Sequence, residues 1–161
     1  MIVYRDIVSG DDIVNDHFTL EQDGSVLVTC ACRELPKTPT NIKDMAEDNG
    51  YNDSVTVYDI EETFNLVRHK PEKADFKTRL NSYLKAVARQ IAANGASRET
   101  LREFQSGQGP AIKKIMDNWD NFDVFMTPSM DVQGMYVLIG YREDGIPYAT
   151  FWKHGLKKIE G

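Results

Sequence analysis

The segment DFKTRLNSYLKAVARQIAANG, residues 75–95, decides the fold that the sequence predicts. Its apolar residues recur at steps of four, three and one, the period of one face of an α-helix; they are Phe76, Leu80, Tyr83, Leu84, Val87, Ala88, Ile91 and Ala92. Asn94 and Gly95 both tolerate the left-handed conformation that commonly ends a helix. The segment therefore predicts an amphipathic helix with a defined end.

A second helix is predicted directly after this end. Ser97 is a favoured N-cap residue, and apolar residues follow it at helical spacing: Leu101, Phe104, Ile112, Ile115, Met116 and Trp119. Because a short link between two helices implies an antiparallel pair, we expect a helical hairpin over residues 75–121. The sequence SGQGP at 106–110 predicts an interruption, after which the second helix restarts with Pro110 in its first turn.

The segments on both sides of the hairpin have the composition of strands. We expect strands within residues 1–8, 17–22, 25–32, 55–60, 64–67, 122–127, 135–142 and 146–153. Asp23-Gly24 and Glu143-Asp144-Gly145 are typical of the turns in β-hairpins. Strands, a helical pair and further strands indicate one α+β domain over residues 1–161. Residues 33–54 lack periodicity and are rich in Pro, Asn, Asp and Gly, so we expect a mobile loop there.

Composition excludes several classes of partner. The 161 residues carry a formal net charge of −6, with a pI of about 5.1, so the chain as a whole has no attraction for the phosphates of nucleic acids. No apolar run approaches the length that crosses a bilayer, and residues 1–6 lack the features of a signal peptide. We therefore expect a cytoplasmic protein that binds neither nucleic acid nor membrane.

Residue patterns that support catalysis or metal binding are weak. Cys30-Ala31-Cys32 lacks the second ligand pair of a zinc site, and on a strand the two thiols share one face with their Cα atoms about 6.6 Å apart. Two groups of aspartates, Asp117, Asp120, Asp123 and Asp11, Asp12, Asp16, do not match the calcium loop of an EF-hand. No catalytic residue is predicted. The doublets Lys113-Lys114 and Lys157-Lys158 are solvated charge or contacts for an acidic partner.

Several segments, taken in order along the chain, resemble the translationally controlled tumour protein family. They are MIVYRDIVS at 1–9, AIKKI at 111–115, GM at 134–135, YREDG at 141–145, PY at 147–148 and GL at 155–156. The resemblance spans nearly the whole chain. YREDG in its place, together with the matching start, is its most specific part.

The resemblance implies a fold and a function. The fold would be α+β, a tent of β-strands shaped like zinc-binding Rab-accessory proteins without their zinc cysteines, with an inserted antiparallel helical hairpin. The protein would be cytosolic, monomeric and non-enzymatic, without a cofactor and with weak Ca²⁺ binding at most. Its partners would be a Rheb-like small GTPase, the translation elongation factor complex and tubulin, which implies roles in protein synthesis, growth signalling and microtubule stabilisation.

The resemblance also implies partner-binding residues. In the family, an acidic residue of the N-terminal turn and a lysine of the second helix are implicated in contact with the GTPase, and the matching positions are Asp12 and Lys113. Asp12 stands where the family usually has Glu, so its carboxylate reaches one methylene less far. The family's long acidic loop is much shortened here, with Gly50, Asn52 and Ser54 as the remainder of its signature.

Two alternatives remain beside this interpretation. The chain could be a small thiol-dependent reductase on a related tent-like fold, with Cys30 or Cys32 as the nucleophile. That chemistry requires a lowered thiol pKa. It could also be a calcium-responsive binder that uses the scattered aspartates.

Overall fold

The computed structural model describes residues 1–36 and 56–161. Within these ranges three α-helices occur, which are α1 Asp59–Thr63, α2 Lys73–Ala93 and α3 Arg98–Asp117. The strands are β1 Ile2–Asp6, β2 Asp12–Asn15, β3 Glu21–Asp23, β4 Leu27–Ala31, β5 Glu34–Pro36, β6 Thr56–Tyr58, β7 Val67–Arg68, β8 Asp123–Met126, β9 Val137–Tyr141, β10 Pro147–Trp152 and β11 Leu156–Glu160. Short 3₁₀ turns follow α3 and β10.

The strands form antiparallel sheets around one core. The largest has six strands in the order β3-β4-β10-β9-β8-β7, and a second has the order β11-β1-β2. A third sheet pairs β5 with β6. One buried apolar cluster contains side chains from the sheets and from the hairpin. The predicted α+β fold with a helical hairpin is confirmed.

The hairpin forms for the reasons that the sequence indicates. The buried face of α2 consists of Phe76, Leu80, Tyr83, Leu84 and Val87, all from the predicted apolar stripe. Gly95 has a φ of +90°, which allows the chain to leave α2 without strain. Ser97 caps α3, because its hydroxyl oxygen accepts a hydrogen bond from the backbone N–H of Thr100 at 3.1 Å.

The predicted interruption of the second helix is wrong. α3 runs without a break from Arg98 to Asp117 and contains Pro110, although proline provides no N–H and so removes one helical hydrogen bond. Gly107 serves close packing: a Cβ atom there would lie 2.6 Å from Cγ1 of Val26 and would overlap the hydroxyl of Ser25. The absence of a side chain thus allows α3 to lie directly against the start of β4.

A buried carboxylate fastens α2 to the sheets. Asp6, at the end of β1, is fully buried. It accepts hydrogen bonds from the Tyr83 hydroxyl at 2.9 Å, from the Met135 backbone N–H at 2.9 Å and from the Ser9 hydroxyl at 2.7 Å. Burial, reinforced by Asp6, holds the pKa of Tyr83 well above its ordinary value, so the phenol stays a donor. β1, α2 and the segment before β9 therefore meet at one satisfied polar group.

Other details differ from the sequence-based prediction. Ile60 lies in α1 and not in a strand, and the range 17–22 forms a strand only from Glu21 onward. Strands β2 and β11 were not predicted, yet they flank β1 on both sides. The predicted loop at 33–54 begins with a strand, since Glu34–Pro36 pairs with β6. The rest of that loop lies outside the described residues.

Candidate functional site

Charge is distributed unevenly between the hairpin and the rest of the chain. Residues 73–117 contain nine Lys or Arg and four Asp or Glu, a net charge of +5 in a chain whose total is −6. The remaining residues therefore carry −11. The positive charge of residues 73–117 favours an orientation in which the hairpin faces an acidic partner surface, even though the net charge of the whole chain is negative.

The outer face of α2 carries free cationic groups. Lys77, Lys85 and Arg89 are exposed and lie opposite the buried stripe. Among residues 1–36 and 56–161, no carboxylate oxygen lies within 4.0 Å of their charged nitrogen atoms. We call these three residues the α2 basic face. Because no described intramolecular partner neutralises them, they are available to a partner.

Lys113 lies on α3 of the same hairpin. Its Nζ atom donates a hydrogen bond of 2.8 Å to Oδ2 of Asp117, one helical turn further on. The same interaction raises the pKa of Lys113. The lysine side chain remains 76% exposed, and water and salt weaken exposed ion pairs of this kind. A partner carboxylate can therefore replace Asp117 at little cost.

Asp12 lies on a different part of the molecule, at the start of β2. Its carboxylate accepts a hydrogen bond of 2.8 Å from Nε of Arg5 on β1, and its side chain is 45% exposed. The neighbouring Asp11 accepts two bonds from Ser129, one from its hydroxyl at 2.6 Å and one from its N–H at 3.1 Å. These bonds fix the N-terminal turn against the segment that follows β8. Asp12 is thus paired with Arg5 on the neighbouring strand and Lys113 with Asp117 on its own helix, and the two residues are not paired with each other.

A polar cluster that the sequence did not reveal is formed by residues of five strands. The Tyr58 hydroxyl donates to Oδ2 of Asp123 at 2.8 Å and lies 2.9 Å from the Tyr141 hydroxyl, which in turn hydrogen bonds to Glu34. Arg68 lies beside the cluster, with its guanidinium 5.4 Å from the centre of the Tyr58 ring. Its members come from β5, β6, β7, β8 and β9, so spacing along the sequence contains no sign of it.

The two cysteines are unsuited to nucleophilic chemistry. Both are buried and unpaired. The hydrogen bond to Cys32, together with burial, raises the pKa of Cys30 far above its ordinary value. A nucleophilic cysteine needs the opposite shift, because the thiolate is the reactive form. The geometry gives the thiol-dependent alternative no support.

The aspartates proposed for calcium do not converge. Asp117 is paired with Lys113, Asp123 with Tyr58 and Asp11 with Ser129. Within the described parts of the chain, no three His, Cys, Asp or Glu side chains are placed so that they could hold a metal ion. Weak calcium binding stays a prediction.

No helix in the described ranges is long and apolar enough to span a membrane. The fold and the site together define a small α+β protein with a positively charged helical hairpin. The family model described as translationally controlled tumour protein matches residues 1–157, and the chain belongs to this family.

Relatives and solved structures agree with this assignment. The chain is 40% identical over 178 aligned positions to the translationally controlled tumour protein homologue of Emericella nidulans and 38% identical to that of Aspergillus fumigatus, with 99% of each chain covered. The structure of the translationally controlled tumour-associated protein p23fyp of Schizosaccharomyces pombe superimposes with a TM-score of 0.83 at 28% identity over both whole chains. The Caenorhabditis elegans family member shares the fold, with a TM-score of 0.72 at 20% identity.

Proposed function

We propose that this protein is a non-enzymatic cytoplasmic interaction protein that binds acidic protein surfaces through the hairpin. The observation that carries the proposal is the charge of +5 on residues 73–117 against −11 on the rest. Opposite charge steers association and favours one orientation of the partner. Tubulin and the translation elongation factor complex are the partners proposed for this surface, which would link the protein to microtubules and protein synthesis.

Charge reversal of the α2 basic face tests this proposal. In the variant Lys77→Glu/Lys85→Glu/Arg89→Glu the three side chains are exposed, so the fold should be retained. We expect affinity for purified tubulin or elongation factor complex to fall at least about tenfold, since each reversed contact removes attraction and adds repulsion. The matched control is Lys157→Glu/Lys158→Glu on β11, which should bind as the parent does. Equal affinities for both variants would refute the hairpin as the binding surface.

We further propose that Asp12 and Lys113 contact a small GTPase of the Rheb type, which would link the protein to growth signalling. Both side chains are exposed and held in surface ion pairs. Exposed ion pairs contribute little to stability, so breaking them should not unfold the protein. The two residues lie on separate elements, so a single partner would have to span both.

Charge reversal at each position separates binding from folding. Asp12→Lys and Lys113→Glu should each weaken capture of the purified GTPase, whereas Asp120→Lys, at another exposed aspartate, should not. Circular dichroism would show that all three variants keep the parent fold. If Asp12→Lys and Lys113→Glu both bind the GTPase as tightly as the parent, these residues are not the contact.

A further inference from the structure

We propose that Tyr58 and Tyr141 form an oxidation site at which a one-electron oxidant joins the two rings in an intramolecular dityrosine cross-link. The first observation is their separation. The two hydroxyl oxygens lie 2.9 Å apart, and the ring centres are 6.3 Å apart with an angle of 53° between the planes. The two tyrosines are 83 residues apart in sequence, and the fold brings their hydroxyls into hydrogen-bond contact.

Each phenol has its own carboxylate as a proton acceptor. Tyr58 donates to Asp123 at 2.8 Å, and Tyr141 donates to Glu34. Removal of an electron from a phenol makes its proton strongly acidic, so a hydrogen-bonded base makes the oxidation easier. Burial and neighbouring acceptors raise the pKa of both tyrosines, Tyr58 more strongly. The groups are therefore neutral phenols at physiological pH, and each oxidation must release a proton.

Exposure of the two rings decides which one reacts first. Tyr141 is 48% exposed, whereas Tyr58 is 3% exposed. A soluble oxidant therefore reaches Tyr141 and takes one electron, while the phenol proton passes to Glu34. The Tyr58 hydroxyl can then rotate from Asp123 toward Tyr141 and transfer its hydrogen atom to the Tyr141 oxygen radical across the 2.9 Å contact. This transfer leaves the radical on the protected ring and restores the Tyr141 phenol.

A second oxidation completes the reaction. Glu34 first releases the proton that it accepted to water. Another equivalent of oxidant then removes an electron from Tyr141, and the Tyr141 proton again passes to Glu34 and from there to water. The two phenoxyl radicals form one carbon–carbon bond between ring carbons next to the oxygens, and the two ring hydrogens at those carbons move to the oxygens as aromaticity returns. The net change is the loss of two electrons and two protons. The product links β6 to β9 covalently.

Photo-oxidation of the purified chain tests the site. Visible light with tris(bipyridine)ruthenium(II) and persulfate provides the one-electron oxidant. We expect a monomeric product with dityrosine fluorescence, a mass lower by two hydrogen atoms, and a linked pair of peptides containing Tyr58 and Tyr141. The product should resist urea better than the parent, because the link restrains the unfolded chain.

Variants distinguish this site from general tyrosine oxidation. Tyr141→Phe and Tyr58→Phe should each abolish the monomeric product. Because Tyr141 is exposed, Tyr141→Phe should keep the fold, and this variant tests the proposal even if Tyr58→Phe folds poorly. Tyr148→Phe, on the neighbouring strand β10, should retain the product, and Glu34→Gln should form it more slowly. The proposal is overturned if the parent gives no monomeric cross-link, if the link maps to other tyrosines, if it survives Tyr141→Phe, or if Tyr148→Phe abolishes it.

Discussion

Replacement of Gly107 by alanine should loosen the hairpin from the sheet. Two glycines of α3 lie two residues apart, and their surroundings differ. A Cβ atom at Gly107 would lie 2.6 Å from Val26 Cγ1 and closer still to the Ser25 hydroxyl, whereas a Cβ atom at Gly109 would meet nothing within 4 Å. Alanine is favoured over glycine within a helix by about 1 kcal/mol, and overpacking of a tight contact costs about 1–3 kcal/mol.

The two substitutions share the gain in helix propensity but not the overlap. Pro110 reduces the gain for Gly109→Ala, because a side chain before proline disfavours the helical conformation. We therefore expect Gly107→Ala to be less stable than Gly109→Ala by up to about 3 kcal/mol, since overpacking applies only at residue 107. Urea unfolding followed by tryptophan fluorescence measures the free energy of unfolding of both variants. Equal stability, or a more stable Gly107→Ala, would show that α3 does not lie against β4 as closely as described.

Three further predictions concern buried and partly buried polar groups. Tyr83→Phe removes one donor from the buried carboxylate of Asp6, so urea unfolding should show a loss of about 1.5–3 kcal/mol; a loss near zero would contradict this role. Burial and Lys153 lower the pKa of His154 despite the opposing effect of Glu103. On acidification, His154 therefore binds a proton at a higher pH in the unfolded state than in the folded state. The contribution of His154 to the free energy of unfolding should be complete above about pH 6.5 and decrease below it, and His154→Gln should remove this decrease. Burial raises the pKa of Asp11, but the hydrogen bonds from the hydroxyl and the N–H of Ser129 oppose it, and the pKa is lowered overall. Its contribution should thus be present at neutral pH and decline below about pH 4, and Ser129→Ala should weaken that decline in acid titrations of stability.

The sequence predicted the elements whose formation depends on residues close to one another in the chain. The apolar stripe of α2, the Ser97 cap and the turns at Gly24 and Gly145 are all set by residues within a few positions of one another, and the structure shows each of them. Strand β2 has only four residues and directly follows a turn, and strand β11 was missed because its partner β1 lies at the other end of the chain. Pairing across the whole length of a sequence leaves no local pattern.

The interpretation of residues 106–110 failed for a related reason. Glycine and proline usually mark a break in a helix, and local propensity alone supports that conclusion. In the folded protein the helix continues through this segment, and glycine is needed at residue 107 because α3 closely approaches Val26 there. The sequence likewise could not predict the cluster of Tyr58, Tyr141 and Asp123, since its members meet only when separate strands align.

The prediction of Asp12 and Lys113 depended on family resemblance and not on local pattern. The structure places both on the surface, in ion pairs between exposed side chains. The α2 basic face was visible in the sequence as separate charges. Its significance came from the fold, which places the three side chains opposite the buried stripe and leaves them without a described partner.

Lysine footprinting of a complex tests the central claim most directly. The protein would be labelled with an amine-reactive acetylating reagent, free and bound to purified tubulin, and the extent of labelling at each lysine would be measured by mass spectrometry. We predict that Lys77, Lys85 and Lys113 on the hairpin become protected, while Lys157 and Lys158 on β11 are labelled equally in both states. Unchanged labelling of the hairpin lysines in a complex that protects other residues would contradict the account.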